Sequence, residues 1–135
     1  MTDYKSLIAA ALAASKKAYA PYSGFFVGAA LQTKSGKIYT GCNIENAAYS
    51  ATVCAERVAL FSAVKEGERE FSAIAIVGGK NGEITGFCPL CGVCRQVISE
   101  FCDGDFKIVL WNGKEASVYT LKELLPLAFT KGELK

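Results

Sequence analysis

Hydrophobic positions in the first part of the chain recur at helical spacing. The pattern predicts a helix from Asp3 to about Tyr19. Thr2 or Asp3 can cap its start, and Pro21 follows its end. Its apolar stripe consists of Tyr4, Leu7, Ile8, Ala11 and Leu12, continued by Ala18 and Tyr19. A helix with one apolar side is expected to pack against a sheet, so this segment has a structural role.

After this helix, short runs of β-branched and aromatic residues alternate with turn signals and predict strands. The runs cover residues 25–32, 37–40, 71–77, 105–111 and 116–119. Ser35-Gly36 and Asn112-Gly113 mark the turns of two hairpins. Gly28, inside the first run, indicates that a backbone or a helix approaches the strand closely there.

Two further helices are predicted between the strands, one from Cys54 to about Val64 and one after Cys91. The glycine-rich residues 78–86 are predicted to form a mobile loop, and residues 120–123 resemble a capping box. The order of helix, hairpin and alternating helix and strand predicts an α/β fold. We expect a three-layer α/β/α arrangement with a mixed central sheet of about five strands. Residues 1–135 are predicted to form a single domain.

The composition describes a compact globular protein and narrows the function classes. Hydrophobic residues make up 51% and charged residues 21% of the chain, which argues against disorder. A formal charge of +2 with no basic run disfavours nucleic acid as a partner. No apolar stretch is long enough to span a bilayer, and the first residues lack a secretory layout. The sequence therefore predicts a cytoplasmic protein with no membrane partner.

Six cysteines are many for this length, and in a reducing cytoplasm metal binding explains several of them better than disulfides do. Cys91 and Cys94 have the spacing that places two thiolates on one side of the first turn of a helix, where the dipole favours the thiolate form. Cys54 also begins a predicted helix. Three thiolates would leave the fourth position of a zinc ion open, as in catalytic sites and unlike closed structural sites.

Glu56, two residues after Cys54, adds a proton acceptor to this set. Water activated by zinc must lose a proton, and the chain contains no histidine to take it. A carboxylate is then the expected proton shuttle; alternatively, Glu56 is only a favourable anion in the first turn of a helix. Arg57 is a candidate donor to a thiolate sulfur, a contact that would draw negative charge away from the metal.

The cysteines leave two alternatives to a catalytic zinc site open. Cys88 can join Cys54, Cys91 and Cys94 in a closed structural zinc site, although no second, separate Cys-x-x-Cys pair supports this. A redox dithiol protein is the other alternative, and it requires accessible thiols. Outside the ligand set, Cys42, Cys88 and Cys102 are predicted to pack as small hydrophobic side chains.

Four motifs, in order along nearly the whole chain, resemble those of the small cytidine deaminases whose zinc ligands are all cysteines. The motifs are residues 25–31, residues 41–49, Cys54-Ala55-Glu56-Arg57 and Cys91-Gly92-Val93-Cys94-Arg95-Gln96. The chain departs from the family at Leu90, which stands where a proline usually precedes the first cysteine of the pair. This departure leaves the shape of the loop before Cys91 open.

The resemblance implies zinc-dependent hydrolysis of cytidine and 2′-deoxycytidine to uridine and 2′-deoxyuridine with release of ammonia, in pyrimidine salvage. It implies Zn²⁺ on Cys54, Cys91 and Cys94, Glu56 as the catalytic acid and base, and Arg57 beside the thiolates. The substrate-binding residues it implies are Phe25, Asn43, Glu45, Ala55 and Phe129. It also implies a homotetramer, in which Phe129 comes from a neighbouring subunit. A deaminase of a modified cytosine nucleoside, such as blasticidin S, is the rival on the same scaffold.

Overall fold

The fold is a five-stranded mixed sheet between helices, seen in a computed structural model that describes residues 4–134. The main helices are α1 (Lys5–Ser15), α2 (Ala55–Lys65), α3 (Gly92–Phe101) and the short α4 (Leu121–Leu124). The strands are β1 (Phe25–Thr33), β2 (Ile38–Cys42), β3 (Phe71–Lys80), β4 (Lys107–Trp111) and β5 (Ala116–Thr120). Two short 3₁₀ helices cover Tyr49–Ala51 and Lys131–Leu134. The predicted fold class is confirmed.

The strand order in the sheet is β2-β1-β3-β4-β5. The pair β3 and β4 is parallel, while the other neighbouring strands are antiparallel. The parallel pair is joined through α3, as a crossover connection requires. Both predicted hairpins are present, and the capping box forms with the Thr120 side chain and Glu123.

Alternating residues of the central strands contribute side chains to two hydrophobic layers, one on each side of the sheet. Ile74 and Ile76 of β3 belong to the layer under α2 and α3, whereas Ala75 and Val77 belong to the layer under α1. The strand is buried on both sides, which explains its nearly continuous apolar sequence. The helices that begin with the cysteine motifs therefore share one side of the sheet, and α1 covers the other.

The first helix is shorter than the sequence pattern predicts. It ends at Ser15, and Tyr19 instead forms a β-bridge with Ile44. The Tyr19 N–H donates to the Asn43 carbonyl at 3.0 Å, and the Tyr19 carbonyl accepts from the Glu45 N–H at 2.8 Å. These pairings with a distant segment overrule the local helical pattern. The proposed caps Thr2 and Asp3 lie outside the described residues.

The glycines that follow the third predicted strand allow neighbouring parts of the backbone to pack closely. Gly78 and Gly79 continue β3 and pair with Val27 and Phe26, so the prediction that a loop begins at Gly78 is wrong. A β-carbon at Gly79 would overlap the Glu83 carbonyl, where the chain folds back over the strand. Gly28 behaves as predicted, because a β-carbon there would overlap the backbone of α1.

Gly41 determines how closely α2 lies on the sheet. A β-carbon at this position would lie 2.5 Å from both the Ala55 carbonyl and the Ala59 nitrogen. Both atoms belong to the backbone of α2, which cannot yield as a flexible side chain can. The absence of a side chain at Gly41 thus sets the distance between β2 and the first turn of α2.

We expect Gly41→Ala to lower the free energy of unfolding by about 2–3 kcal/mol, because the added methyl group must displace the backbone of α2. Denaturant unfolding followed by circular dichroism measures this change. Gly86→Ala is the matched control, since a β-carbon there meets nothing within 4 Å. Equal stability of the two variants would contradict the role assigned to Gly41.

Candidate active site and metal centre

Three cysteine thiols meet where α2 and α3 begin. Cys54 is the N-cap residue of α2, Cys91 is the N-cap residue of α3, and Cys94 lies in the first turn of α3. Their sulfur atoms all lie within 4.8 Å of one another. Within residues 4–134, this is the only cluster of three or more cysteine or acidic side chains placed to hold a metal ion.

The spacing of these sulfurs fits a tetrahedral zinc ion. Cys54 Sγ and Cys91 Sγ are 3.7 Å apart, and Cys91 Sγ and Cys94 Sγ are 3.4 Å apart. Zinc–sulfur bonds of about 2.3 Å at tetrahedral angles place sulfur ligands about 3.8 Å from one another. Three thiolates are also a donor set that zinc prefers. The residues therefore fit zinc with one coordination position left for another ligand.

Hydrogen bonds favour the thiolate form of Cys54. Contacts with the Cys94 thiol, the Arg57 guanidinium and Cys91 lower the pKa of Cys54 to about 5, although partial burial opposes them. Arg57 Nη2 donates to Cys54 Sγ at 3.5 Å, the contact proposed from the sequence. The pKa of Cys94 is raised, first because it hydrogen-bonds to Cys54 and then because it is buried. The contact between the two thiols therefore moves the pKa of Cys54 down and the pKa of Cys94 up.

Glu56 is a buried carboxyl group in the first turn of α2. Its side chain is only 3% exposed. Burial raises the pKa of Glu56 to about 7, and the negative charge of Cys54 adds to this effect. A carboxyl group with a pKa near neutrality can both accept and donate a proton at physiological pH. Its position and its pKa therefore suit proton transfer beside the thiols.

Cys88 does not join the sulfur cluster. It packs at the edge of the core against Gly78, and burial raises the pKa of its thiol to about 12. Leu90 is 4% exposed and belongs to the core under α2 and α3. The departure from the family pattern at Leu90 thus supplies a hydrophobic anchor directly before Cys91. This placement does not support a closed site of four cysteines.

All six cysteines are free. Cys102 packs against the core, and burial raises the pKa of its thiol to about 12. Burial also raises the pKa of Cys42. Cys102 therefore behaves as the small hydrophobic side chain predicted from the sequence, whereas Cys42 is only partly buried and lies outside both core clusters.

Asn43 is fixed to the first strand by both ends of its amide. Its Oδ1 accepts from the Val27 N–H at 2.9 Å, and its Nδ2 donates to the Phe25 carbonyl at 2.8 Å. The side chain is largely buried. One Nδ2 hydrogen and one Oδ1 lone pair remain for a ligand. Asn43 therefore has a structural role, and its backbone partners lie on the distant first strand and not in its own segment.

Glu45 is held by the turn that precedes the first strand. Its carboxylate accepts from the N–H groups of Tyr22 and Ser23, at 2.9 and 3.1 Å, and from the Ser23 hydroxyl. The hydroxyl contact is the first cause of the lowered pKa of Glu45. Lys80 Nζ binds the Ser23 carbonyl at 2.6 Å and steadies the same turn. Sequence reasoning missed Ser23, whose only signal was its place in a Pro-Tyr-Ser-Gly turn.

An open cleft of about 310 Å³ lies beside Glu45 and is lined by Tyr22, Ser23, Glu45, Tyr49 and Thr52. Phe25 is 38% exposed and follows this turn directly. By strand alternation Phe25 shares a side of β1 with Val27, which packs toward α2 and α3, whereas Phe26 lies against α1. The strand thus directs Phe25 toward the side of the sheet that carries the cysteines.

Two other proposed substrate residues have different surroundings. Ala55 is completely buried at the start of α2. Phe129 is 61% exposed and does not line the cleft beside Glu45. A single chain therefore does not bring Phe129 together with that cleft.

A wider cleft, of about 510 Å³, is lined by Cys102 but by none of the three clustered cysteines. Its walls include the starts of β3 and β4 and the end of α3, whose beginning carries the metal cluster. Acidic and basic side chains are mixed along it, and it contains none of the residues of the thiol site. The smaller cleft and the thiol cluster are therefore the candidate site.

Comparison with known proteins decides the family. The family model described as "Cytidine and deoxycytidylate deaminase zinc-binding region" matches residues 1–110. The chain belongs to this deaminase family. A cytidine deaminase from Sporosarcina psychrophila is 50% identical over 133 residues, which are 98% of this chain and 95% of that protein. A crystal structure of cytidine deaminase from Burkholderia pseudomallei superposes with a TM-score of 0.87 at 50% identity and covers 95% of this chain and 100% of that one.

A second kind of deaminase is more distant. Blasticidin-S deaminase from Bacillus cereus is 37% identical over 110 residues, covering 78% of this chain and 77% of that protein. The comparisons therefore favour the cytidine deaminases within the family.

We expect Cys94→Ser to abolish stoichiometric zinc binding, because it removes a sulfur from the cluster. Cys88→Ser is the matched control and should keep one zinc ion per chain, since Cys88 lies outside the cluster. Elemental analysis of the purified variants measures the metal content. Loss of zinc in Cys88→Ser would instead support the hypothesis of a closed site formed by four cysteines.

We expect Asn43→Ala to lower the free energy of unfolding by about 2–3 kcal/mol, because it leaves Val27 N–H and the Phe25 carbonyl unpaired. Asn46→Ala is the control, since Asn46 is exposed and its Oδ1 accepts only from the Ala48 N–H. Thermal and denaturant unfolding without substrate measure the difference. An unchanged stability of Asn43→Ala would assign this residue to substrate contact alone.

Proposed function

We propose that the protein is a zinc-dependent cytidine deaminase that converts cytidine and 2′-deoxycytidine to uridine and 2′-deoxyuridine and releases ammonia. The observation that carries this proposal is the buried carboxyl group of Glu56 next to three clustered thiols. A closed structural site has no use for a proton carrier with a pKa near 7. Membership of the deaminase family supports the same activity.

The proposed metal ligands are Cys54, Cys91 and Cys94. Zinc bound there would supply Lewis acidity, which makes water a nucleophile near neutral pH. Three thiolates add negative charge, which opposes this effect. Arg57 offsets part of that charge through its hydrogen bond to Cys54 Sγ. Its role is to stabilise the thiolate, as the sequence pattern also indicates.

Glu56 is the proposed proton carrier. Its carboxylate accepts a proton from the attacking water, and the carboxyl group then donates that proton to N3 of the cytosine ring. The second proton of the water reaches the departing amino group by the same route, so ammonia leaves and a carbonyl replaces the amine. Because Glu56 is buried, its carboxyl group is largely shielded from bulk water.

The substrate would lie between the thiol cluster and the cleft beside Glu45. We assign sugar hydroxyl contacts to Asn43 and Glu45, which retain hydrogen-bonding capacity after their contacts with the protein. Phe25 would pack against the base, and Ala55 would form the floor of the pocket at the start of α2. Phe129 completes the pocket only if it comes from another subunit, because its own chain leaves it outside the cleft.

The wider context of the activity is also a proposal. Exposed apolar side chains support a homotetramer, notably Tyr49 at 75%, Leu127 at 105% and Phe129 at 61% exposure. Six free cysteines, three of them gathered for a metal, support a reducing cytoplasmic location. Deamination of cytidine to uridine would give the enzyme a role in pyrimidine salvage. No helix among residues 4–134 has the length and hydropathy that a membrane span requires. One sheet with a core on each side supports a single catalytic domain.

We expect Glu56→Gln to lower the rate of cytidine deamination by about 10²- to 10⁴-fold while zinc remains bound, because the amide cannot carry the proton. Ultraviolet absorbance and released ammonia measure turnover, and elemental analysis measures zinc. Glu100→Gln, which changes an exposed carboxylate, is the control. Near-normal turnover of Glu56→Gln would reject the assigned mechanism.

The similarity to blasticidin-S deaminase supports one alternative substrate class, the modified cytosine nucleosides. Zinc-loaded protein should turn over cytidine faster than blasticidin S if the main proposal holds. If the protein turns over blasticidin S but not cytidine, the same residues would act on blasticidin S instead. If neither compound is turned over and the bound zinc has no exchangeable ligand position, the result would support a structural zinc module.

A further inference from the structure

Arg95 connects the loop before the metal cluster to the C-terminal part of the chain. Its Nε donates to the Leu90 carbonyl at 3.1 Å, and its Nη1 donates to the Leu124 carbonyl at 2.7 Å. Leu90 directly precedes the ligand Cys91, and Leu124 is the last residue of α4. Arg95 is half-buried, and its guanidinium group donates these two charge-assisted hydrogen bonds to backbone carbonyls.

The next residue on α3 makes a second connection. Gln96 Nε2 donates to the Phe129 carbonyl at 2.7 Å. Consecutive residues of the metal-binding helix therefore hold both ends of residues 124–129. Between these two points Leu127 has a positive φ of 50° and is fully exposed, so its side chain contributes nothing to holding the segment.

We propose that Arg95 and Gln96 are positioning residues that tie the C-terminal segment, residues 125–134, to the loop that presents Cys91. The inference rests on the proposed metal centre. Arg95 fixes the carbonyl before the ligand and the end of α4, while Gln96 fixes the segment further along. A disturbance of the C-terminal segment is thereby transmitted to the metal loop through Arg95.

The geometry explains why arginine occupies this position. The planar guanidinium offers several donors in a fixed arrangement, so one side chain can bind two carbonyls that belong to different segments. A lysine ammonium lacks this planar fork. The Leu124 carbonyl lies at the end of a helix and needs a donor from outside the helix. Arg95 provides that donor and at the same time closes the loop before Cys91.

The test measures zinc release and hydrogen exchange in the full-length, zinc-loaded protein. In Arg95→Met, we expect zinc release to a chromogenic chelator to accelerate about 10-fold, the size typical for loss of a group that supports a metal ligand. Amide exchange in peptides covering residues 121–134 should also accelerate about 10-fold, because the anchor at Leu124 is lost. In Gln96→Leu, only the exchange of residues 125–134 should accelerate.

Arg69→Met is the matched control, because Arg69 also donates to two backbone carbonyls, those of Val64 and Glu68, but away from the three clustered cysteines. Both readouts should remain within twofold of the native protein. If Arg95→Met does not fold, Arg95→Lys keeps the charge without the fork, and we expect the same two changes at smaller size. Native-like zinc release or native-like exchange in the folded Arg95 variants would overturn the proposal.

The outcome is separable from the proposed function. Exchange in residues 121–134 reports on the connection through Arg95 even if the protein neither binds zinc nor deaminates cytidine. If the unsubstituted protein binds no zinc, the proposed metal centre is rejected. If the enzyme is active but amide exchange is unchanged in the Arg95 and Gln96 variants, the proposed connection to the C-terminal segment is rejected and the proposed function is not.

Discussion

The structure depends on bringing two helix starts close enough for their thiols to share one ion. Cys54 and Cys91 begin different helices and are separated along the chain by an entire helix and strand, yet their sulfurs are 3.7 Å apart. This proximity requires α2 to lie tightly on β2, which the missing side chain at Gly41 permits. It also requires the loop before Cys91 to be anchored, which buried Leu90 achieves from the core.

The same proximity determines the electrostatics of the site. Burial raises the pKa of the Glu56 carboxyl group, and the negative charge favoured on Cys54 raises it further. Arg57 is the cation in contact with Cys54 and limits the accumulation of negative charge. A chain without histidine thus obtains a group that titrates near neutral pH by burying a carboxyl group beside a thiolate.

The segments around the cleft have structural roles in addition to the binding roles that we propose for them. Asn43 joins the backbone of the first strand, and Glu45 orders the turn at Tyr22 and Ser23. These contacts hold the polar side chains before any ligand arrives, which lowers the entropy that binding must overcome. In the proposed site each of these residues would support the fold and also contact the substrate. Substitutions there are expected to affect stability and affinity together.

The sequence by itself determined the α/β class, the strands, the cysteine motifs and the family resemblance, because these depend on local periodicity and on residues at fixed spacing. Only the tertiary structure decided that α1 ends at Ser15, since the pairing of Tyr19 with residues 43–45 is long-range. It likewise decided that Gly78 and Gly79 belong to a strand and that Cys88 stays outside the sulfur cluster. Local sequence cannot specify such outcomes, because they arise from backbone and side-chain contacts between segments far apart in the chain.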